Sequence, residues 1–339
     1  MLEFDDKFFE DEVRDGYFVR SEMKRRWAAE MEVLAEIDRV CKKNGITYFA
    51  DWGTLLGAVR HNGFIPWDDD MDIVMLRSDY MRFLSIAQKE LLPPFMGINI
   101  YHYEDFDRTF MTVQNGLGLN LNENFLNRFH GCPYGSGVDI FCLDNMWESE
   151  EEFYDIVQLT DFVSLVNKVI DMRREEKEFG KILEKDEHWL QIKKESDAFS
   201  TEDFLLKAES MCNVKIDRKK NIKNQLFRIL DGAYSLCDND KSEFVVNMAA
   251  ATCLEYHHAG FKREWYKEAV ELPFENITIP VPIGYHKVLE QLYGINYLSP
   301  IRYSHGADEH MREDMQQARD IIKNGKKRIE NLEKILGVY

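Results

Sequence analysis

The sequence contains no apolar run near the ~20 residues that a membrane-spanning helix needs, so a bilayer span is not expected. Its opening residues, MLEFDDKFFEDE, lack the basic-then-apolar order of a secretory signal. The expectation is a cytoplasmic chain. Cysteine pairing is also missing: Cys41, Cys132, Cys142, Cys212, Cys237 and Cys253 form no CxxC pair and no dense framework. In a chain of 339 residues they read as reduced, packing thiols. His130 with Cys132 and Cys142, or Cys253 with His257 and His258, would make half of a zinc site, but neither has a second half at zinc spacing. Basic charge is short as well, with 43 Lys and Arg against 61 Asp and Glu and a net charge of −18. Such a field repels phosphate backbones and anionic lipid, which argues against nucleic acid as a partner. A phosphorylated small molecule stays compatible, because a bound cation and a few local Arg or Lys can reverse the potential inside a cleft. No internal repeat or low-complexity linker marks a domain boundary.

What is present suits a folded chain: 45% apolar and 13% aromatic residues, enough for one large domain or two ordinary ones. Met23, Trp27, Met31, Leu34 and Cys41 fall on one stripe, which predicts a helix over 21–44, capped by Ser21 and stopped by Gly45. A strand is expected over 46–52, a short helix over 54–61 and a strand over 71–76. Ser78 should cap a helix over 79–91 that ends before Pro93-Pro94. Alternation predicts strands at 97–103 and 109–115, and 137–144 reads as a short apolar strand carrying one carboxylate, Asp139. From 149 to about 235 the chain is charged with helical periodicity. An apolar segment follows at 243–253, an extended hairpin at 271–284, a helix at 285–293 and a polar helix at 307–337.

The chemistry concentrates in 46–76. Gly53-Thr54 follows the first expected strand, Arg60 and His61 follow the short helix, and Asp68, Asp69, Asp70 and Asp72 run directly into the apolar Ile73-Val74-Met75-Leu76. Four like charges entering a buried strand are costly unless a cation neutralises them. In an extended chain, residues two apart share a face with Cα atoms ~6.5–7 Å apart, so Asp70 and Asp72 form a pair that Asp68 can join. Asp69 points elsewhere, as a supporting or surface group. Asp139 repeats the apolar-Asp-apolar pattern of Asp72 and is the best third acid. Two or three such carboxylates suit one or two Mg²⁺ ions. A solvated acidic turn is the plainer alternative, opposed by the placement of Asp72 and Asp139 inside apolar segments. A calcium loop starting at Asp68 fails because its sixth position, where glycine is required, is Ile73. Gly-Thr at a helix start offers backbone N–H groups and a hydroxyl to phosphate, and Arg60 and His61 can neutralise its charge.

The stretch Asp51-Trp52-Gly53-Thr54-Leu55-Leu56-Gly57-Ala58-Val59-Arg60-His61-Asn62-Gly63-Phe64-Ile65-Pro66-Trp67-Asp68-Asp69-Asp70-Met71-Asp72 resembles the signature of the LicD family, bacterial phosphocholine transferases related to fukutin and fukutin-related protein. Weaker matches are Val138 to Asp144, with Cys142 where the family often has proline, and Ile279-Pro280-Val281-Pro282 followed by Tyr293-Gly294. The resemblance covers about 20–305. It implies an α+β fold: a nucleotidyltransferase-like core with a small mixed sheet flanked by helices, and a helical elaboration. The core with its N-terminal helix would occupy 1–148, and 149–339 would be a mostly helical region packed on it and contributing to the cleft. The implied reaction moves phosphocholine from a CDP-linked donor such as CDP-choline to a hydroxyl of a glycan or glycolipid precursor of the lipopolysaccharide or teichoic acid kind, releasing CMP. By the same resemblance Asp70 and Asp72 hold Mg²⁺ (Mn²⁺ as substitute), with Asp68 in the acidic set. Asp139 is a metal ligand or the base, and Gly53 and Thr54 hold phosphate. Aromatic faces suit a quaternary ammonium, with Trp52, Trp67, Tyr101 and Tyr103 as candidates. Acceptors of this kind sit on lipid carriers, so transient association with the inner membrane face is expected. Two other readings are a nucleotidyltransferase that moves the nucleotide itself and a non-catalytic metal- or partner-binding protein. A glycosyltransferase of the Asp-x-Asp type does not account for Gly53-Thr54.

Overall fold

The computed structural model describes residues 1–183, 200–237, 241–251 and 259–300. A hairpin of β1 (Glu12–Arg14) and β2 (Tyr17–Val19) precedes α1 (Ser21–Asn44). The apolar stripe of α1 is buried as its spacing predicts, and Gly45 ends the helix at φ 60°. The cap differs from expectation. Ser21 is itself the first helical residue, and its N–H donates to the Asp11 carboxylate (2.7 Å), so the preceding segment caps the helix.

β3 (Phe49–Ala50) is shorter than the predicted strand because α2 (Trp52–His61) begins at once. β4 (Asp72–Leu76) runs directly into α3 (Arg77–Glu90), which starts at Arg77 without a side-chain cap from Ser78. β5 (Met96–Ile98) and β6 (Met111–Gln114) are likewise short. The chain turns after Ile98, where the Asn99 carboxamide oxygen accepts from the N–H groups of Tyr101 and His102. A helix not foreseen, α4 (Glu123–Arg128), precedes the long β7 (Gly137–Asn145). α5 (Glu150–Leu183), α6 (Thr201–Cys212) and α7 (Ile222–Tyr234) supply the expected helices. Then come β8 (Phe244–Val246), α8 (Met248–Ala251), β9 (Phe261–Lys262), the hairpin β10 (Ala269–Phe274) and β11 (Ile277–Pro282), and α9 (Tyr285–Tyr293). The helix expected at 307–337, and Cys253 with His257 and His258, lie outside the described residues.

The fold is α+β, with a central mixed sheet flanked by helices. Its order is β3-β4-β7-β6-β5, with β8 and then β9 extending from the far half of β7. Only β4 and β7 pair in parallel among the described strands. Two apolar cores result. One lies between the sheet, α1, α2 and α3; the other lies among α5, α6 and α7, around Phe153, Val163, Leu226 and Leu230. The chain leaves the first core just after β7. The β10–β11 hairpin and α9 then rejoin the first core through Phe274, Ile279, Val281, Val288 and Leu289. Residues 261–297 are therefore part of the sheet-based unit, which the sequence division at 148 separated from it. Apolar alternation in the hairpin, one face against β3 and α2, is the physical reason. No helix among the described residues is long and apolar enough to cross a membrane.

One buried ionic knot joins the cores. The Arg77 guanidinium donates to Asp144 of β7 (2.6 Å) and Asp231 of α7 (2.8 Å), and the Tyr101 hydroxyl donates to Asp231. Asn224 of α7 donates to the carbonyls of Ile100, Tyr103 and Phe106, gripping the loop between β5 and β6. Burial pushes the Asp144 carboxyl up to about 6 even beside Arg77. Removing the cation from two buried carboxylates costs about 3–5 kcal/mol, so Arg77→Met should lower unfolding stability in urea by that amount. A loss below ~1 kcal/mol would show that the knot contributes no more than a surface pair.

Candidate active site

The parallel register of β4 and β7 places Asp72 opposite Asp139, and the antiparallel register of β6 and β7 places Thr112 opposite Asp139. Residues opposite one another share a sheet face, so the three side chains stand in a row. The Thr112 hydroxyl donates to one Asp139 oxygen at 2.6 Å. At the head of β4, the Asp72 N–H donates to the Thr54 hydroxyl oxygen (2.8 Å), and the Asp51 N–H donates to the Asp72 carbonyl (3.0 Å). Thr54, expected to face phosphate, is buried and ties α2 to β4 instead.

The acidic loop between α2 and β4 is gripped from three sides. The fully buried Trp27 of α1 donates its indole N–H to the Asp68 carbonyl (2.8 Å). Glu275, at the tip of the β10–β11 hairpin, accepts from the Phe64 N–H (3.1 Å), and its own N–H donates to the Asn62 carbonyl (2.7 Å). Arg14 in turn holds Glu275 through both carboxylate oxygens. Gly53 faces the Asp68 carboxylate so closely that a Cβ there would collide with it. Trp52, just before it, adopts φ 43°, a strained backbone for a bulky side chain.

Asp68, Asp69 and Asp70 each offer an oxygen within 4.8 Å of the others. Asp68 and Asp70 lie close enough for each carboxyl to act on the other. Asp69 is only 2% exposed. It supports the loop from beneath, with Arg26 of α1 at 3.4 Å. Arg26 also meets the buried Glu30 (3.2 Å), whose carboxyl is pushed up by burial and by Asp69 and Asp70. Burial is also the main force holding Asp68 and Asp72 well above the usual carboxylate range, followed by mutual repulsion: Asp70 acts on both, Asp139 and Asp51 on Asp72. Asp139 is raised by burial, against the Thr112 hydrogen bond and the nearby positive charge of Arg108. Asp51, beneath α2, is pushed by burial to about 7. A set of oxygen donors whose charged forms are disfavoured by one another fits a hard divalent cation.

Asp68, Asp70 and Asp72 form the floor of a cleft of about 310 Å³. Gly53, Leu56 and Arg60 of α2 make one wall, with Trp67 beside Asp68, Asp70 and Asp72. Of the donor-binding candidates, Gly53 and Arg60 line the cleft, whereas Thr54 and His61 lie behind it. His61 is held between the Arg60 guanidinium (2.8 Å) and Asp15 (2.9 Å). Of the aromatic candidates Trp67 lines the cleft; Trp52 does not, and the Tyr101 hydroxyl belongs to the ionic knot. Asp139 stands outside the cleft lining, beside Asp72 and toward Arg108. Sequence reasoning missed Arg108, which no motif marks. It also gave no role to Tyr293, Asn296 and Tyr297, which line the cleft as well. The pair Tyr293-Gly294 was the one available signal.

A family model described as LicD/FKTN/FKRP, nucleotidyltransferase domain, matches residues 45–158. The chain is 45% identical over 60 residues to the lipopolysaccharide cholinephosphotransferase LicD of Haemophilus influenzae, covering 18% of this chain and 23% of that protein. It is 40% identical over 73 residues to an uncharacterized protein of Rickettsia typhi, covering 21% of this chain and 22% of that one. These alignments thus span about a quarter of the curated relatives' length. The matched residues 45–158, which carry the acids of the cleft floor and Asp139, are thus similar to the nucleotidyltransferase domain of the LicD family.

Proposed function

We propose that the chain is a Mg²⁺-dependent phosphotransferase. It moves a substituted phosphate, phosphocholine from CDP-choline being the first donor to test, to a hydroxyl of a cell-surface glycan precursor and releases CMP. The observation that carries this reading is the floor of Asp68, Asp70 and Asp72 in a cleft lined by the start of α2, with Asp139 in register beside Asp72 on the next strand. The name of the Haemophilus relative supports the choice of donor. Asp68, Asp70, Asp72 and Asp139 would hold one or two Mg²⁺ ions, or Mn²⁺, which when bound shield phosphate charge and lower the pKa of the attacking hydroxyl.

The chain's own residues do the rest. Gly53 keeps the start of α2 bare, so that backbone N–H groups and the positive helix end can meet a phosphate. Arg60 adds charge on the same wall and Arg108 on the Asp139 side. The acceptor oxygen bonds to the distal phosphorus, the bond from that phosphorus to the CMP oxygen breaks, and the electron pair leaves with CMP. Asp139, one oxygen held by Thr112, either takes the hydroxyl proton on the other oxygen or completes the cation's ligands. The second reading, suggested by the nucleotidyltransferase name of the matched domain, leaves the nucleotide on the acceptor instead.

Phosphorus NMR of reactions with CDP-choline, Mg²⁺ and a glycolipid acceptor separates the two. Free CMP with a phosphocholine diester supports the proposal, and CMP attached to the acceptor supports the alternative. Asp70→Ala and Asp72→Ala should each cut turnover by on the order of 10²–10³-fold while raising or preserving thermal stability without metal, since each removes a repelling charge. Near-normal turnover of either variant at saturating Mg²⁺ would sink the assignment. Gly53→Ala should fold, at a cost of about 1–3 kcal/mol. Its methyl group displaces the Asp68 carboxylate, and Mn²⁺ titration should report weaker binding than in wild type.

A further inference from the structure

Part of the cleft lining, Tyr293, Asn296, Tyr297 and Ser299, lies far outside the matched residues 45–158. Tyr293 is the last residue of α9, and Gly294 at φ 79° turns the chain immediately after it. The turn is fixed from two sides. The Arg60 guanidinium donates to the Tyr297 carbonyl (3.1 Å), and His286 of α9 hydrogen-bonds the Tyr297 hydroxyl. Tyr297 is buried, but Tyr293 keeps 38% of its surface accessible while lining the cleft with Asp68, Asp70 and Asp72. A tyrosine hydroxyl is protonated at neutral pH, and this one shares the cleft with the three carboxylates.

A protonated phenol over a carboxylate floor is a neutral donor. A lysine there would compete with a divalent cation for the carboxylates, whereas a phenol can donate to an anionic oxygen without neutralising them. We propose that Tyr293 contacts the donor substrate, its hydroxyl donating a hydrogen bond to a phosphate oxygen of a nucleoside diphosphate seated over Asp68, Asp70 and Asp72. The inference rests on the reading of this cleft as a nucleoside-diphosphate site. It makes the segment Tyr293 to Tyr297 a substrate-binding wall, anchored to α2 by Arg60.

The test compares wild type with Tyr293→Phe, which keeps the ring and its packing. Calorimetry measures binding of CDP at fixed Mg²⁺, and Mn²⁺ titration without nucleotide measures the acidic floor separately. A hydrogen bond to a charged oxygen predicts CDP binding weakened by roughly 10–100-fold, with Mn²⁺ affinity and thermal midpoint unchanged. Unchanged CDP affinity in Tyr293→Phe overturns the inference and leaves the proposed function standing. A parallel loss of Mn²⁺ affinity makes Tyr293 a brace for the carboxylates and also overturns it. Absence of CDP binding by the wild type with Mg²⁺ removes both the inference and the reading beneath it.

Discussion

The parallel pairing of β4 with β7 is the constraint on which the rest depends, because it stands Asp72 beside Asp139 across one strand spacing, ~4.8 Å. Two partly buried carboxylates on adjacent strands disfavour each other's charge, and burial adds to the cost. Thr112 offsets some of it by donating to Asp139. Thr54 does not reach the Asp72 carboxylate; it accepts from the Asp72 N–H and fixes where the side chain begins. The strand pairing thus holds in place a charge arrangement that the side chains would not choose unaided. Such an arrangement persists only where surrounding structure over-determines it, as Trp27, Glu275 and Gly53 do for the neighbouring loop.

An overall charge of −18 would seem ill-suited to an anionic donor. The local arrangement resolves this. Arg26 and Glu30 lie beneath the acidic loop, on the α1 side, where Arg26 meets Asp69. That contact offsets one carboxylate from below and leaves Asp68, Asp70 and Asp72 as the floor that lines the cleft. Arg60 stands on one wall, and Arg108 lies toward Asp139. Acids at the floor with cations at its margins form a field in which a cation and a phosphate can be accommodated together, whereas a polyanion meets the negative exterior.

Much of this was legible in sequence, and the reason differs by residue. α1 and the acidic run were readable because periodicity and local motif are properties of adjacent residues. Asp139 was readable because a carboxylate between Val138 and Ile140 violates the pattern around it. The roles of Thr54 and His61 were not, since each depends on a partner, the Asp72 N–H and Asp15, that only the folded chain brings near. Arg108 is an ordinary surface residue until the loop held by Asn224 delivers it to Asp139. The return of the β10–β11 hairpin to the first core was hidden for the same reason: alternation shows that a strand has a buried face, but not which surface covers it.

The separation of the two cleft walls in sequence has a consequence for how such a site can change. The floor and the α2 wall are coupled through Thr54, Gly53 and the β4–β7 register, so a substitution in one disturbs the others. The lining that follows α9 is tied to α2 through the Tyr297 carbonyl, a backbone group that any residue at that position supplies. Side chains of that lining, Asn296 among them, can therefore vary without moving the carboxylates. In a cleft built this way the acidic floor is constrained by local geometry. On the proposed function, the fit to a particular donor falls to residues more than two hundred positions away.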